Sequence, residues 1–208
     1  MRSYASPLRS AQAAETRARI LSAAATRFAE AGYAGTSLAE IAAEAGVSVE
    51  TVKLNGPKRS LLIAAFDQAF TGAEGEGPVH ERPLGQRLME APDDESLLAG
   101  YVDFVSSANA RASVLWLTFQ TAAMSDPLIR ESLDAVQERR RSDFARSIAL
   151  FRERGMLSSA RPDEELAAAL SFLVSPSSYL ELVVGSGWGH EQYTAWLTDT
   201  IRRVILTA

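Results

Sequence analysis

The stretch from Thr36 to Lys58, T-S-L-A-E-I-A-A-E-A-G-V-S-V-E-T-V-K-L-N-G-P-K, limits this chain to few folds. Ser37 stands three positions before Glu40, the spacing at which each side chain can satisfy a free backbone N–H of a helix's first turn. Leu38, Ile41, Ala42 and Ala45 then recur at helical spacing and form one apolar stripe. Gly46 suits the left-handed residue that ends a helix. Val47 plugs the angle that follows, and Ser48 is placed to cap a third helix from Val49 to about Asn55. That helix turns Val52 inward and leaves Glu50, Thr51, Lys53 and Asn55 outward. Two short helices joined by a tight glycine turn form a helix-turn-helix, whose second helix enters the DNA major groove.

The flanking sequence is helical throughout. Ile20, Leu21, Ala24, Ala25 and Phe28 predict an amphipathic helix over Thr16–Ala31, closed by Gly32 and preceded by a loose tail over residues 1–15. After Gly56-Pro57, a helix from Lys58 to about Phe70 carries Leu61, Leu62, Ala65, Phe66 and Ala69. Gly72 to Pro83, rich in Gly and Glu, reads as a flexible boundary. Beyond it, helices are expected from about Asp94, from about Arg111 and from Asp126-Pro127 to Gly155. The third of these carries Ile129, Leu133, Val136, Arg140, Phe144, Ile148 and Phe151 on one face. Two more follow, one from Pro162 to about Val184 with an interruption near Pro176, the other from about His190 to Leu206. No strand pattern, repeat or low-complexity tract is evident. The chain is expected to be all-α, with a helix-turn-helix domain over 16–57, a connecting helix over 58–71 and a helical domain over 84–208.

Charge is divided unevenly. The formal net charge is -5, yet residues 1–60 are mildly basic and the remainder is acidic, as in a DNA reader joined to a body that does not touch DNA. The only two lysines, Lys53 and Lys58, lie beside the expected reading helix; every other basic residue is Arg, a bias that suggests a high-GC bacterial source. Cys is absent, which excludes disulfides and thiolate chemistry. No apolar run has the length of a membrane span, and the N-terminus lacks the apolar core of a signal peptide. A cytoplasmic protein without membrane association is therefore expected.

From Thr16 to about Phe66 the chain resembles the DNA-binding domain of the tetracycline-repressor (TetR) family of bacterial regulators. The matching pieces are F-A-E-A-G-Y (Phe28 to Tyr33), T-S-L-A-E-I-A-A-E-A-G-V-S, T-V and K-R-S-L-L (Lys58 to Leu62). The resemblance implies a homodimeric regulator, most commonly a repressor, that leaves a palindromic double-stranded operator when a small molecule binds its helical C-terminal domain. It also implies a Thr hydroxyl at Thr36 for a phosphate. One segment departs from the family. Where members usually carry aromatic residues after the Thr-hydrophobic pair, this chain reads Lys53-Leu54-Asn55-Gly56, and Lys58 aligns only across a one-residue deletion.

The candidate DNA face comprises Thr36, Ser37, Ser48, Val49, Glu50, Thr51, Lys53, Asn55 and Lys58. The lysines, Thr36 and the helix start at Ser48 would hold phosphates, which position a protein without specifying sequence. Glu50 can accept from cytosine N4, Asn55 can pair with adenine, and Val49 or the Thr51 methyl can meet a thymine methyl. The plainer alternatives are that Glu50 offsets its own helix dipole, that Thr51 lies on the helix surface and that Asn55 is a C-cap. Arg2 and Arg9 form either a minor-groove arm or part of a loose tail. For the effector cavity the candidates are Tyr101, Phe104, Trp116, Phe119, Gln120 and Phe144, beside the alternative that such aromatics are core. The apolar content of the last two helices points to a dimer interface at Leu170, Val174, Leu180, Trp196, Ile201 and Val204.

Enzymatic readings are weak. His80 and His190 have no metal-ligand spacing, Ser37 and Ser48 are caps, and no motif calls for a catalytic residue, metal or cofactor. The acidic groups Asp93-Asp94-Glu95 and Asp163-Glu164-Glu165 sit at helix starts, where they complement the dipole. Arg139-Arg140-Arg141 reads as a solvated helix surface or as partners for nearby acids. Two further readings remain: a constitutive or architectural DNA-binding protein with a fully packed second domain, and an all-α adaptor or enzyme bearing a relic helix-turn-helix.

Overall fold

Side-chain caps at Ser37, Ser48, Asp93, Asp126 and Ser175 start five of the helices in the computed structural model, which describes residues 7–75 and 78–207. Helices α1 (Pro7–Gly35), α2 (Leu38–Ala45), α3 (Val49–Leu54) and α4 (Lys58–Thr71) form the N-terminal unit. The capping box at Ser37 is complete: its hydroxyl accepts from the Glu40 N–H, and Glu40 accepts from the Ser37 N–H at 2.7 Å. Gly46 sits at φ 65°, in the left-handed region that favours glycine, and closes α2. Ser48 caps α3 through the Thr51 N–H. Gly32, at φ 71°, kinks α1 where the helix was expected to end.

The helical part continues with a 3-10 turn at Val79–Glu81, then α5 (Pro83–Met89), α6 (Asp94–Ala123), α7 (Pro127–Glu153) and α8 (Asp163–Leu173). Helix α9 (Pro176–Tyr179) is prolonged by a π-helical stretch, Leu180–Gly185, and α10 (His190–Thr200) by another, Ile201–Leu206. Among the described residues there is no strand. Asp93 caps α6 through the Ser96 N–H, which holds its carboxyl below the usual range, and Asp163, Glu164 and Glu165 fill the first turn of α8.

Three expectations need correction. Helix α1 starts at Pro7, so the tail does not reach residue 15; Arg9 lies on an exposed helix surface, and Arg2 falls outside the described residues. The helices expected from Asp94 and Arg111 are one continuous α6. The Gly72–Pro83 segment, in its described part, is tied down rather than free. Arg82 donates to Asp67 at 3.2 Å and to the Thr71 hydroxyl at 2.8 Å, and also reaches the Gly75 carbonyl. Arg17 grips Glu74 at 2.5 Å.

The hydrophobic cores do not divide where the sequence suggested. One core joins Ile20, Phe28, Ile41, Val52, Leu61 and Phe66 of the N-terminal unit to Trp116 and Phe119 of α6 and Ile129 and Leu133 of α7. The other joins the first half of α6 (Leu97, Tyr101, Val105) to Phe144, Ile148 and Phe151 of α7 and to α8–α10. Helix α6 therefore belongs to both cores. The helix-turn-helix is built onto its C-terminal half, and displacement of either must disturb the other.

Candidate nucleic-acid interface and ligand cavity

The exposed face of α3 carries Val49, Glu50, Lys53 and Leu54. Val49 is 37% exposed and Leu54 87% exposed, unusual for an aliphatic side chain on a packed domain. Lys53 lies 3.2 Å from Glu50, one turn back on the same face. Such an exposed pair is weak, so Lys53 can exchange Glu50 for a phosphate. The Thr51 hydroxyl is 2.8 Å from Ser48, within the cap.

Several expected DNA contacts are used inside the protein. Thr36 is 2% exposed, and its hydroxyl donates back to the Arg27 and Gly32 carbonyls at 3.0 and 2.8 Å. The Lys58 ammonium donates to the Tyr33 carbonyl (2.8 Å) and the Thr36 carbonyl (2.9 Å) and lies 4.3 Å from the centre of the Tyr33 ring. It ties α4 to the end of α1 and is not presented to a phosphate. The Asn55 amide donates to the Thr51 carbonyl at 2.8 Å, and the Asn55 carbonyl accepts from Arg17, which corresponds to the C-cap alternative rather than adenine pairing. Ser37 is exposed, but its hydroxyl is engaged with Glu40. The remaining outward groups are Val49, Glu50, Lys53 and Leu54, with Ser48 and Thr51 at the helix start. Arg59 is also exposed, at the start of α4 beside Lys58. A Lys53→Ala protein should bind specific and nonspecific DNA more weakly by similar factors. Its log–log salt slope should fall by about 0.9, the value of one phosphate contact.

A cavity of about 120 Å³ lies between α4, the 3-10 turn, α5, α6 and α7. Its wall includes Ile63, Phe66, Asp67 and Phe70 of α4, Leu88 of α5, Tyr101 and Phe104 of α6, and Arg140, Asp143, Phe144 and Phe151 of α7. Of the expected lining residues, Tyr101, Phe104 and Phe144 are present. Trp116, Phe119 and Gln120 do not line it: Trp116 and Phe119 pack around Phe66 in the N-terminal core, and Gln120 is half-buried further along α6.

The polar groups around this cavity are mostly committed. Asp143 accepts from the Val79 and His80 backbone N–H groups at 3.1 and 3.2 Å and contacts His80 Nδ1 at 2.8 Å, pinning the 3-10 turn to α7. Burial raises the Asp67 carboxyl, against the opposing pull of Arg82 and the Gly75 N–H. Burial also raises the Tyr101 phenol, against an opposing pull from Ser147. Gly85 packs so closely on the 3-10 turn that a Cβ would overlap the Val79 carbonyl oxygen and His80 Cα, so only glycine lets α5 close this wall.

Arg140 differs. Its guanidinium lies 5.3 Å from the Trp116 ring centre, 5.2 Å from Phe144 and 5.9 Å from Phe70. Among the described residues no oxygen accepts a hydrogen bond from it. Burial lowers its affinity for the proton. Arg140 is half-buried, and its cation–π contacts contribute about 0.5–2 kcal/mol each, so its N–H donors face the cavity without an acceptor among the described residues. The triple-arginine run was read as solvated or paired, although Arg140 also falls on the apolar stripe of α7.

The expected dimer residues separate into two groups. Leu170, Val174 and Ile201 are at most 1% exposed and belong to the subunit's own core, so they cannot form an interface. Leu180 and Trp196 are half-buried, and Val204 is 37% exposed. Phe172 and Val184, 74% and 67% exposed, stand outward on helices that are apolar on more than one face. By length and composition the segment Asp163–Gly185, with a mean hydropathy of 1.5, could cross a membrane. It is, however, broken at Ser175-Pro176 and opens with three acidic residues.

An all-helical body carrying a capped helix-turn-helix with an open reading face defines a DNA-binding transcriptional regulator. Residues 20–52 match the bacterial regulatory proteins of the tetR family, a match that lies within the N-terminal unit and identifies it as a DNA-binding domain of that type. No curated protein matches the sequence significantly. Solved structures share the fold over nearly the whole chain. A Saccharomonospora viridis protein described as a transcriptional regulator, in complex with choline, aligns with a TM-score of 0.68 at 23% identity, covering 93% of this chain and 99% of its own. A Pseudomonas aeruginosa PAO1 protein described as a transcriptional regulator gives 0.64 at 21% identity, covering 91% and 93%. A Rhodococcus protein described as a TetR-family regulator gives 0.62 at 21% identity, covering 93% and 99%.

Proposed function

We propose that the chain is a homodimeric, cytoplasmic repressor that binds a palindromic operator and leaves it when a small molecule fills the α4–α7 cavity. The observation that carries this reading is the double role of α4. Its first residue, Lys58, holds the backbone at Tyr33 and Thr36, while Ile63, Phe66 and Phe70 further along form the cavity wall. A ligand that alters the packing of α4 thus reaches the helix-turn-helix through a rigid element. The ligand must bind the DNA-incompetent arrangement more tightly, since only differential affinity shifts an equilibrium. An open cavity favours this reading over a constitutive DNA-binding protein with a filled second domain. The choline bound by the Saccharomonospora viridis neighbour supports a small-molecule effector in the same kind of body.

The dimer reading is supported by the apolar surface of α8–α10. Only 22% of the apolar window in Asp163–Gly185 is buried within the subunit, and Phe172, Val184 and Val204 stand exposed. Pairing these faces would place two α3 helices in successive major grooves, about 34–36 Å apart. Sedimentation equilibrium tests the assembly. The wild-type chain should run as a dimer at micromolar concentration, and Phe172→Asp should weaken it at least tenfold. A wild-type monomer at that concentration would contradict the proposal. Footprinting on a selected operator should show two protected patches one helical turn apart, with two subunits per duplex.

A further inference from the structure

We propose that the cavity takes an organic carboxylate with an apolar body, its carboxylate paired with the Arg140 guanidinium. The inference rests on the reading of this cavity as an effector site and gives the chemistry of its ligand. Arg140 projects from α7 between the rings of Phe70, Trp116 and Phe144, with no hydrogen-bond acceptor among the described residues. The other charges of the wall have partners. Asp67 holds Arg82, Asp143 is engaged by the Val79–His80 turn, and Arg146 lies 2.9 Å from Glu153. Arg139 also has interactions of its own. A planar, permanently charged fork is matched by a carboxylate, which can accept two parallel N–H bonds. The rest of the wall is aliphatic and aromatic, through Ile63, Leu88, Tyr101, Phe104, Leu150 and Phe151, and it suits a hydrocarbon or aromatic body. A cationic ligand would face Arg140 across the same small space.

Calorimetric titration of the full-length protein tests the proposal with octanoate, benzoate and 1-naphthoate as carboxylates. The comparison compounds are 1-octanol, octyltrimethylammonium, acetate and inorganic phosphate. At least one of the three carboxylates should bind at least tenfold more tightly than any comparison compound. Arg140→Met should remove that preference, and Arg140→Lys should retain part of it, with melting curves confirming that both variants fold. If Arg140→Met does not fold, the Arg140→Lys titration decides. A Lys variant with undiminished carboxylate affinity overturns the pairing, because Lys cannot reproduce the bidentate fork. Equal binding of octanol and octanoate, or preference for the ammonium, overturns the anion assignment while leaving the effector-site reading in place. Binding by no compound in the set, with DNA binding intact, overturns both.

Discussion

Phe119→Ala should be among the most destabilising single substitutions in the chain, costing about 3–5 kcal/mol, the range for truncating a fully buried Phe. Phe119 is completely enclosed, with ring centres 6.1 Å from Phe66 and 6.3 Å from Trp116, at the junction of α4 and α6. It sits where the helix-turn-helix and the helical body share one core. A melting temperature lower by roughly 10 °C is the expected readout, at about 2–4 °C per kcal/mol for a chain of this size. DNA affinity should fall with it, because α4 loses its support. Phe104→Ala is the control: this half-buried ring borders open cavity and should cost distinctly less. Equal and small losses for the two variants would show that the α4–α6 junction is not a continuous core.

Lys58→Met should destabilise by about 1.5–3 kcal/mol, the scale for hydrogen bonds to a charged group. The variant keeps the aliphatic stem and removes the ammonium that two carbonyls, at Tyr33 and Thr36, accept from. Those carbonyls lie at the turn that leads into α2, so the loss should loosen the helix-turn-helix before the rest of the chain. Hydrogen exchange should therefore rise first in residues 33–46, and DNA binding should weaken at every salt concentration. A phosphate-contact role would give the opposite pattern, with unchanged stability and a shallower salt slope. Lys53→Ala is expected to show that second pattern, so the two lysines are separable in one pair of experiments.

These lysines also show what the sequence can and cannot convey. The capping box at Ser37, the left-handed Gly46 and the Ser48 cap depend on neighbours within a few residues, and they fold as read. Lys58 depends on carbonyls 22 and 25 positions earlier, which no local pattern displays. In the sequence of α6, Ser106, Asn109 and Ser113 interrupt the apolar run on either side of Arg111. In the fold these small polar residues are buried, and the Asn109 amide donates to the Val174 and Ser175 carbonyls where α8 breaks. They form a close-packed seam, not a helix end. In α8 and α10, period alone could not tell the inward stripe of Leu170 and Ile201 from the outward one of Phe172 and Val204, since both are apolar. Arg140 was visible as a charge on an apolar face, but its lack of an acceptor appears only when the helices around it are assembled.

Selection of bound duplexes from a random DNA pool by the wild-type chain tests most directly whether this helix-turn-helix reads a specific site as a dimer. Enrichment of an inverted repeat with half-sites about one helical turn apart is expected, with a Leu54→Asp protein retaining little of it and a Lys53→Ala protein selecting the same motif at lower affinity. Recovery of unenriched sequence, at an affinity set by salt alone, would contradict it.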